Sequence, residues 1–204
     1  MRLFFHYCSY GFSNSYVLSN DNCSGSPAIV IDPGCMDKQF LEYIETSEYD
    51  LKAVLITHDH LGHIHGLRTL RRIYNAEIFA FNRVVLDIGT TQIKDEDKIV
   101  IGPFTVEVIS IPGHSADSVV YRIGNFLFTG DVLTAGLVGS TSSGYGASTQ
   151  VNKLRSRLLS LPGDYLVFPG HGPPSTLEAE RRFNIGISQY AKTYNRKPGL
   201  KINL

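Results

Sequence analysis

The chain has 204 residues, and its 19 Lys and Arg balance its 19 Asp and Glu to a formal net charge of zero. That length allows a self-sufficient core, so we expect one domain over residues 1–204. The neutral charge argues against a nucleic-acid partner, and no apolar run is long enough for a membrane span. With an N-terminus too polar for a signal segment, we expect a cytoplasmic protein that acts on a small-molecule substrate.

The first half of the chain alternates short apolar runs with amphipathic stretches. Runs such as AIVID and KAVLIT are typical of buried strands, and apolar residues three or four apart indicate helices. Gly and Pro close the strands. The predicted strands cover residues 2–7, 15–19, 28–32, 52–57 and 77–81, and the predicted helices cover 36–46 and about 63–74.

The second half repeats this alternation. The predicted strands cover residues 98–101, 105–111, 118–123, 126–129 and 165–168, and the predicted helices cover 151–161 and 177–194. Runs of strands interrupted by helices in both halves indicate an α/β protein in which two sheets pack face to face with helices outside.

Six of the seven histidines fall in three short segments, each directly after a predicted buried strand. These segments are THDHLGHIHG (57–66), PGHS (112–115) and PGHG (169–172), and an aspartate follows a fourth strand in FTGD (128–131). Loops at strand ends present functional groups from a rigid scaffold, and imidazole with carboxylate suits several divalent metals. The predicted metal ligands are His58, His60, His63, His114, Asp131 and His171.

Two further candidates, Asp59 and His65, lie within the first histidine segment. His58 and His60 can reach one ion only if the loop turns between them, so Asp59 should point elsewhere. His65 is an auxiliary candidate, either behind the ligands or exposed. His6, the seventh histidine, is interpreted as an ordinary surface or core residue.

The cysteines indicate no disulfide framework. Cys8, Cys23 and Cys35 form no C-x-x-C pair, and their number is odd. We interpret them as small core residues or idle surface thiols.

The histidine segments resemble the metallo-β-lactamase superfamily, whose main motif is T-H-x-H-x-D-H followed by a lone His, an Asp and a last His. Asp32-Pro33-Gly34 resembles the family's early D-P-G turn, and the stretches LFTGD, LPGDYLVFPGHG and EAERRFN resemble its glyoxalase II-like branch. The resemblance implies an αββα sandwich of two mixed β-sheets with helices on both outer faces. It also implies two adjacent metals, one held by His58, His60 and His114, the other by His63 and His171, with Asp131 bridging.

The resemblance further implies a metal-dependent hydrolase that attacks an ester-like bond, such as a thioester or related small-molecule ester, through metal-bound hydroxide. We expect one or two divalent ions per chain, with zinc as the first candidate and iron, manganese or nickel also compatible with these ligands. Asp131 is the expected catalytic residue as well as a ligand.

The chain departs from the family pattern in two places. Gly62 stands where the motif has its last aspartate, which leaves the second metal one ligand short, although three protein ligands still make a usable site. Glyoxalase II enzymes also carry a C-terminal helical region, whereas only about 20 residues follow Asn184. The segment GSTSSGYGAST (139–149) lacks the basic residue often found there, and its Tyr145 is a candidate substrate contact.

Two alternatives stay open at this point. One is a mononuclear iron dioxygenase for a sulfur compound, with His58, His114 and Asp131 as its facial triad. The other is a degenerate protein that binds a metal or a ligand without catalysis. The glycine at position 62, in place of the motif's aspartate, suggests this alternative.

Overall fold

The structure, a computed structural model, describes residues 1–188. In that part of the chain the helices are α1 (Lys38–Thr46), α2 (Leu61–Ile64), α3 (Leu67–Ile73), α4 (Gly144–Lys153) and α5 (Leu177–Phe183). The strands are β1 (Arg2–Tyr7), β2 (Asn14–Ser19), β3 (Pro27–Ile31), β4 (Asp50–Leu55), β5 (Glu77–Ala80), β6 (Val84–Val85), β7 (Ile88–Gly89), β8 (Thr91–Gln92), β9 (Lys98–Ile101), β10 (Phe104–Ser110), β11 (Val119–Ile123), β12 (Phe126–Gly130), β13 (Leu133–Thr134), β14 (Leu137–Val138), β15 (Leu166–Pro169) and β16 (Ser175–Thr176).

Two six-stranded mixed sheets form the centre of the molecule. The first has the order β1-β2-β3-β4-β5-β8, antiparallel up to β3 and parallel from β3 onwards. The second has the order β16-β15-β12-β11-β10-β9, with only β12 and β15 parallel. Strands β6 and β7, and β13 and β14, form two separate hairpins.

The apolar residues of these strands face both ways and bury three layers of side chains. Between the sheets, residues such as Leu18 and Ile29 pack against Tyr121 and Phe128. Alternate residues of β2, β3 and β4 face outward and pack against α1, α2 and α3. The outer face of the second sheet packs against Leu154 and Leu158, in the turn that follows α4, and against α5. The predicted sandwich with helices on both outer faces is therefore confirmed.

The predicted strands agree with the structure to within a few residues, but three helices differ. The helix predicted over 63–74 is two helices, α2 and α3, separated at His65 and Gly66. A Cβ at Gly66 would lie 2.7 Å from the Pro33 carbonyl oxygen, to which the Gly66 amide donates a hydrogen bond. This close contact with the turn after β3 requires glycine and interrupts the helical run.

The other two differences lie in the second half. The helix predicted over 151–161 begins at Gly144, capped by Ser143, and continues into a π-helical turn, Leu154–Leu158. The helix predicted over 177–194 is interrupted at Asn184, whose backbone is extended; residues 185–188 are again helical, and residues 189–194 lie outside the described residues. The sequence also did not predict the two-residue strands β6, β7, β8, β13, β14 and β16.

Within residues 1–188, no helix has the length and apolar character needed to cross a lipid bilayer.

Candidate metal centre

The predicted ligands meet at one edge of the sandwich, where strands of both sheets end. His58, His60 and His63 follow β4 in the first sheet, while His114, Asp131 and His171 follow β10, β12 and β15 in the second. A hydrogen bond from the Val119 amide to the Thr57 carbonyl joins the sheets there. The fold thus brings all six predicted side chains together, and we call this group the metal centre.

Three imidazoles form the first half of the metal centre. His60 Nδ1 lies 3.1 Å from His58 Nε2 and 2.9 Å from His114 Nε2. Nitrogen atoms bound to one tetrahedral zinc at 2.0–2.1 Å lie about 3.3–3.4 Å apart. The three nitrogen atoms are therefore already spaced nearly as one ion requires.

Hydrogen bonds behind two of these rings fix which nitrogen faces the centre. His114 Nδ1 lies 2.8 Å from the Ser140 carbonyl oxygen, which can only accept, so the proton is on Nδ1 and Nε2 is bare. Thr57 donates its hydroxyl proton to Asp32 at 2.6 Å and thus accepts from His58 Nδ1 at 3.1 Å. Such outer contacts set the tautomer of metal-binding histidines.

Asp32 is a functional residue whose role the sequence did not reveal. Its carboxylate accepts from the Thr57 amide at 2.8 Å, from the Thr57 hydroxyl and from His63 Nδ1 at 3.0 Å. It is 2% exposed, so these bonds compensate its burial. The D-P-G turn gave a signal at this position, but only the fold shows that Asp32 orients two histidines.

The second half of the metal centre is built around Asp131. Its Oδ2 lies 3.4 Å from His63 Nε2, 3.7 Å from His114 Nε2 and 3.8 Å from His58 Nε2. His63 Nε2 is buried and has no hydrogen-bond partner. Because Asp32 accepts the proton of Nδ1, Nε2 is the nitrogen that faces Asp131, and a cation there would replace the proton that the two carboxylates otherwise stabilise. This buried nitrogen without a hydrogen-bond partner therefore fits a metal site.

His171 is arranged differently from the other histidines. Its Nδ1 lies 2.7 Å from Asp131 Oδ1, and its Nε2 lies 3.0 Å from the Gly11 carbonyl oxygen. Both nitrogens face acceptors, and the hydrogen bond to Asp131 raises the pKa of His171. His171 is therefore placed as a proton-carrying partner of Asp131 and is not preset as a ligand, unlike His58 and His114.

Electrostatics divides the metal centre in the same way. Burial, helped by the charge on His63, lowers the pKa of His58 to about 2, and burial with His114 lowers the pKa of His60. Burial opposes a charge on His63, but the nearby carboxylates of Asp131 and Asp32 raise its pKa to about 10. Burial opposes the charge on Asp131, yet His171 and His63 lower its pKa. The first half thus stays neutral, and positive charge is stabilised between Asp32 and Asp131.

Two glycines define the space around the second half. A Cβ at Gly170 would collide with the ring of His63 and lie 2.5 Å from Asp131 Oδ1, so only glycine fits there. Gly62 is the second residue of α2 rather than its N-cap, which is His60. A Cβ at Gly62 would have its nearest neighbour, Gly11 Cα, at 3.7 Å, so a larger side chain can be accommodated.

The auxiliary candidates lie around the metal centre. The exposed Asp59 carboxylate accepts from Asn82 at 2.9 Å and belongs to none of the described metal-binding groups, in agreement with the prediction. His65 is exposed and stacks on Tyr10 at a centroid distance of 3.9 Å, outside those groups. Tyr145 is 83% exposed and lies in the first turn of α4, not on a loop as expected.

A cleft of about 260 Å³ opens beside the metal centre. His114, Asp131 and His171 form one side of it, and the β13–β14 hairpin forms the other. We call it the hairpin cleft; its hairpin side is lined by Thr134, Leu137, Val138, Gly139 and Ser140. Among the described lining residues there is no lysine or arginine.

Comparisons with known proteins found a matching family and similar individual proteins. The profile of the metallo-β-lactamase superfamily matches residues 9–85 and 81–171. A hydroxyacylglutathione hydrolase of Chromohalobacter salexigens is 30% identical over 164 residues, which cover 78% of this chain and 63% of that hydrolase. The chain thus spans less than two thirds of the length of this relative.

Two solved structures are similar over nearly their whole length. The BLEG-1 B3 metallo-β-lactamase aligns with a TM-score of 0.83 and 25% identity, covering 92% of this chain and 100% of that one. ETHE1 from Myxococcus xanthus aligns with a TM-score of 0.80 and 25% identity, covering 97% of this chain and 93% of that one.

Proposed function

The chain belongs to the metallo-β-lactamase superfamily, in its glyoxalase II-like branch, and from this premise we propose that it is a metal-dependent hydrolase of a small-molecule thioester or related ester. The observation that carries the proposal is the preset first half of the metal centre. His58 and His114 are held in the ligand tautomer, with their bare nitrogens within 3.1 Å of His60 Nδ1.

In this proposal the six predicted residues hold one or two divalent ions, with zinc as the first candidate. His58, His60 and His114 would hold the first ion, and His63 and His171 the second, with Asp131 between them. When bound, such ions lower the pKa of a water ligand towards ~7 and polarise a carbonyl oxygen.

The chain's own residues would bind the substrate and handle protons. Leu137 and Val138 offer the hairpin cleft an apolar side for an acyl or alkyl group. While the second ion is absent, His171 is not a ligand, and the Asp131–His171 pair, joined at 2.7 Å beside the cleft, can take up or return a proton as the leaving group departs.

The lining of the hairpin cleft supports a substrate with no negative charge near the reacting bond. No described lining side chain is a lysine or arginine that would pair with a carboxylate. The relative from Chromohalobacter salexigens is named for a glutathione thioester, so such thioesters belong in the test panel beside smaller ones.

The test is hydrolysis of thioesters, lactones and phosphodiesters by protein loaded with zinc, manganese or iron. We expect thioester hydrolysis that His60→Ala reduces by at least about 100-fold, because His60 contacts both preset nitrogens. His65→Ala is the matched control, since this nearby histidine only stacks on Tyr10. No hydrolysis across the panel with metal bound would instead support the degenerate binding protein.

The iron dioxygenase is the second candidate, and one observation favours it. His58 Nε2 and His114 Nε2 both lie within 3.8 Å of Asp131 Oδ2, while His171 is engaged by Gly11. The side chains of His58, His114 and Asp131 would together bind a single iron ion. One iron per chain together with oxygen consumption on a sulfur substrate would overturn the hydrolase proposal.

A further inference from the structure

A second cluster of metal-binding side chains lies where β1 ends beside the turn that follows β3. His6 belongs to β1, Cys8 follows it, and Cys35 follows the Asp32-Pro33-Gly34 turn. All three are buried, and each offers a ligand atom within 4.8 Å of the other two. The sequence did not indicate this cluster, because residues 27 positions apart meet only in the fold.

We propose that His6, Cys8 and Cys35 bind a zinc ion, with the carboxylate of Asp37 on its solvent side. Sulfur, imidazole nitrogen and carboxylate oxygen are donors that zinc takes in proteins, and structural zinc sites usually have four protein ligands, the number that these four residues supply. Two thiolates balance the charge of a divalent ion, and the remaining negative charge of Asp37 lies on the half-exposed side of the site. This site is separate from the metal centre, whose ligands are histidine and aspartate.

The separations of the donor atoms suit this assignment with one adjustment. Cys35 Sγ lies 3.5 Å from Asp37 Oδ2, and His6 Nε2 lies 2.9 Å from the same oxygen. On tetrahedral zinc the corresponding S–O and N–O separations are about 3.5 Å and 3.3 Å. The two Sγ atoms are 2.7 Å apart and would have to separate to about 3.8 Å when zinc binds.

The environment favours a bound ion over a disulfide between the same cysteines. Cys8 is fully buried and Cys35 is 8% exposed, so an oxidant reaches neither sulfur readily. A disulfide would leave unexplained why His6, buried between aromatic rings, and Asp37 adjoin this sulfur pair.

The site is linked to the metal centre through Ser15. The Ser15 hydroxyl lies 3.2 Å from Cys8 Sγ, donates to the Asp32 carbonyl at 2.5 Å and accepts from the Gly34 amide at 3.0 Å. Zinc at this position would fasten β1 to the turn that carries Asp32. Its removal should therefore lower the melting temperature of the protein.

The test uses cobalt as a spectroscopic replacement for zinc in the reduced full-length protein. We expect an intense near-ultraviolet thiolate-to-cobalt band in wild-type protein and in Cys23→Ser, the control at the exposed cysteine. The band should be lost in Cys8→Ser and Cys35→Ser, each of which should bind about one zinc fewer per chain. The band persists in His60→Ala, because the described ligands of the metal centre include no cysteine.

The cobalt spectrum of the wild-type protein tests the proposed zinc site even if a cysteine variant fails to fold. Absence of the thiolate band from reduced, cobalt-saturated wild-type protein overturns the proposal. A disulfide overturns it as well: thiol titration of unfolded protein prepared without reductant would then find one thiol instead of three. Neither result depends on whether the metal centre hydrolyses anything.

Discussion

Asp32→Asn should weaken metal binding without unfolding the protein. In the wild type the carboxylate accepts a hydrogen bond from His63 Nδ1 and so directs Nε2 towards Asp131, where a metal ion would bind it. An amide offers one acceptor oxygen where the carboxylate offers two. If that oxygen stays on the Thr57 amide in place of Oδ1, the amide nitrogen takes the position of Oδ2, which faces His63 Nδ1. With the amide nitrogen facing Nδ1, the His63 proton moves to Nε2 and blocks that ligand.

The expected loss is about 10–100-fold in metal affinity, the usual effect of removing an outer partner of a metal-binding histidine. That range corresponds to about 1.4–2.7 kcal/mol. Asp32 has a φ of 49°, and asparagine tolerates this left-handed conformation, so the turn should persist.

The assay is competition for zinc with a chromophoric chelator, with circular dichroism to check the fold. Asp117→Asn is the matched control, because this buried carboxylate binds the Asp59 amide and Asn82 but accepts no hydrogen bond from a histidine. Equal zinc affinity in Asp32→Asn and wild type would refute the assigned role of Asp32.

Three further predictions concern the second half of the metal centre. Gly62→Asp should raise the zinc content towards two per chain, since its Cβ meets nothing closer than 3.7 Å; unchanged stoichiometry by elemental analysis would contradict this. Gly170→Ala should displace His63 and Asp131 at a cost of about 1–3 kcal/mol in unfolding free energy and lower metal affinity, whereas Gly144→Ala, in open space, should not. In metal-free protein the His63 pKa is raised from 6.5 to about 10, so its contribution to stability is complete below about pH 6.5 and lost as pH rises towards 10; urea midpoints that increase over that range would contradict this.

The strands and the clustering of the six candidate ligands could be predicted from sequence because their signals are local. Runs such as AIVID identify a buried strand, and histidines next to Gly or Pro after such strands identify the loops of the site. The direction of each strand then brings those loops to one edge. The cytoplasmic location and the single domain over 1–204 stay predictions.

What the sequence did not reveal depends on contacts between distant segments. Asp32 is recognisable as an orienting residue only once β3 and β4 are adjacent. The break between α2 and α3 follows from the contact of Gly66 with Pro33, and the Cys8–Cys35 pair follows from the position of β1. No periodicity or motif within any one segment contains these contacts.

Zinc titration of metal-free protein, followed by calorimetry and thioester hydrolysis in the same samples, tests the central claim most directly. In the first half of the metal centre the histidines are in the ligand tautomer, whereas His171 in the second half is hydrogen-bonded to Gly11. We therefore predict one tightly bound ion, a second ion that binds more weakly, and hydrolysis that appears as zinc binds. Zinc binding without hydrolysis of any thioester, or two ions of equal affinity, would contradict the account.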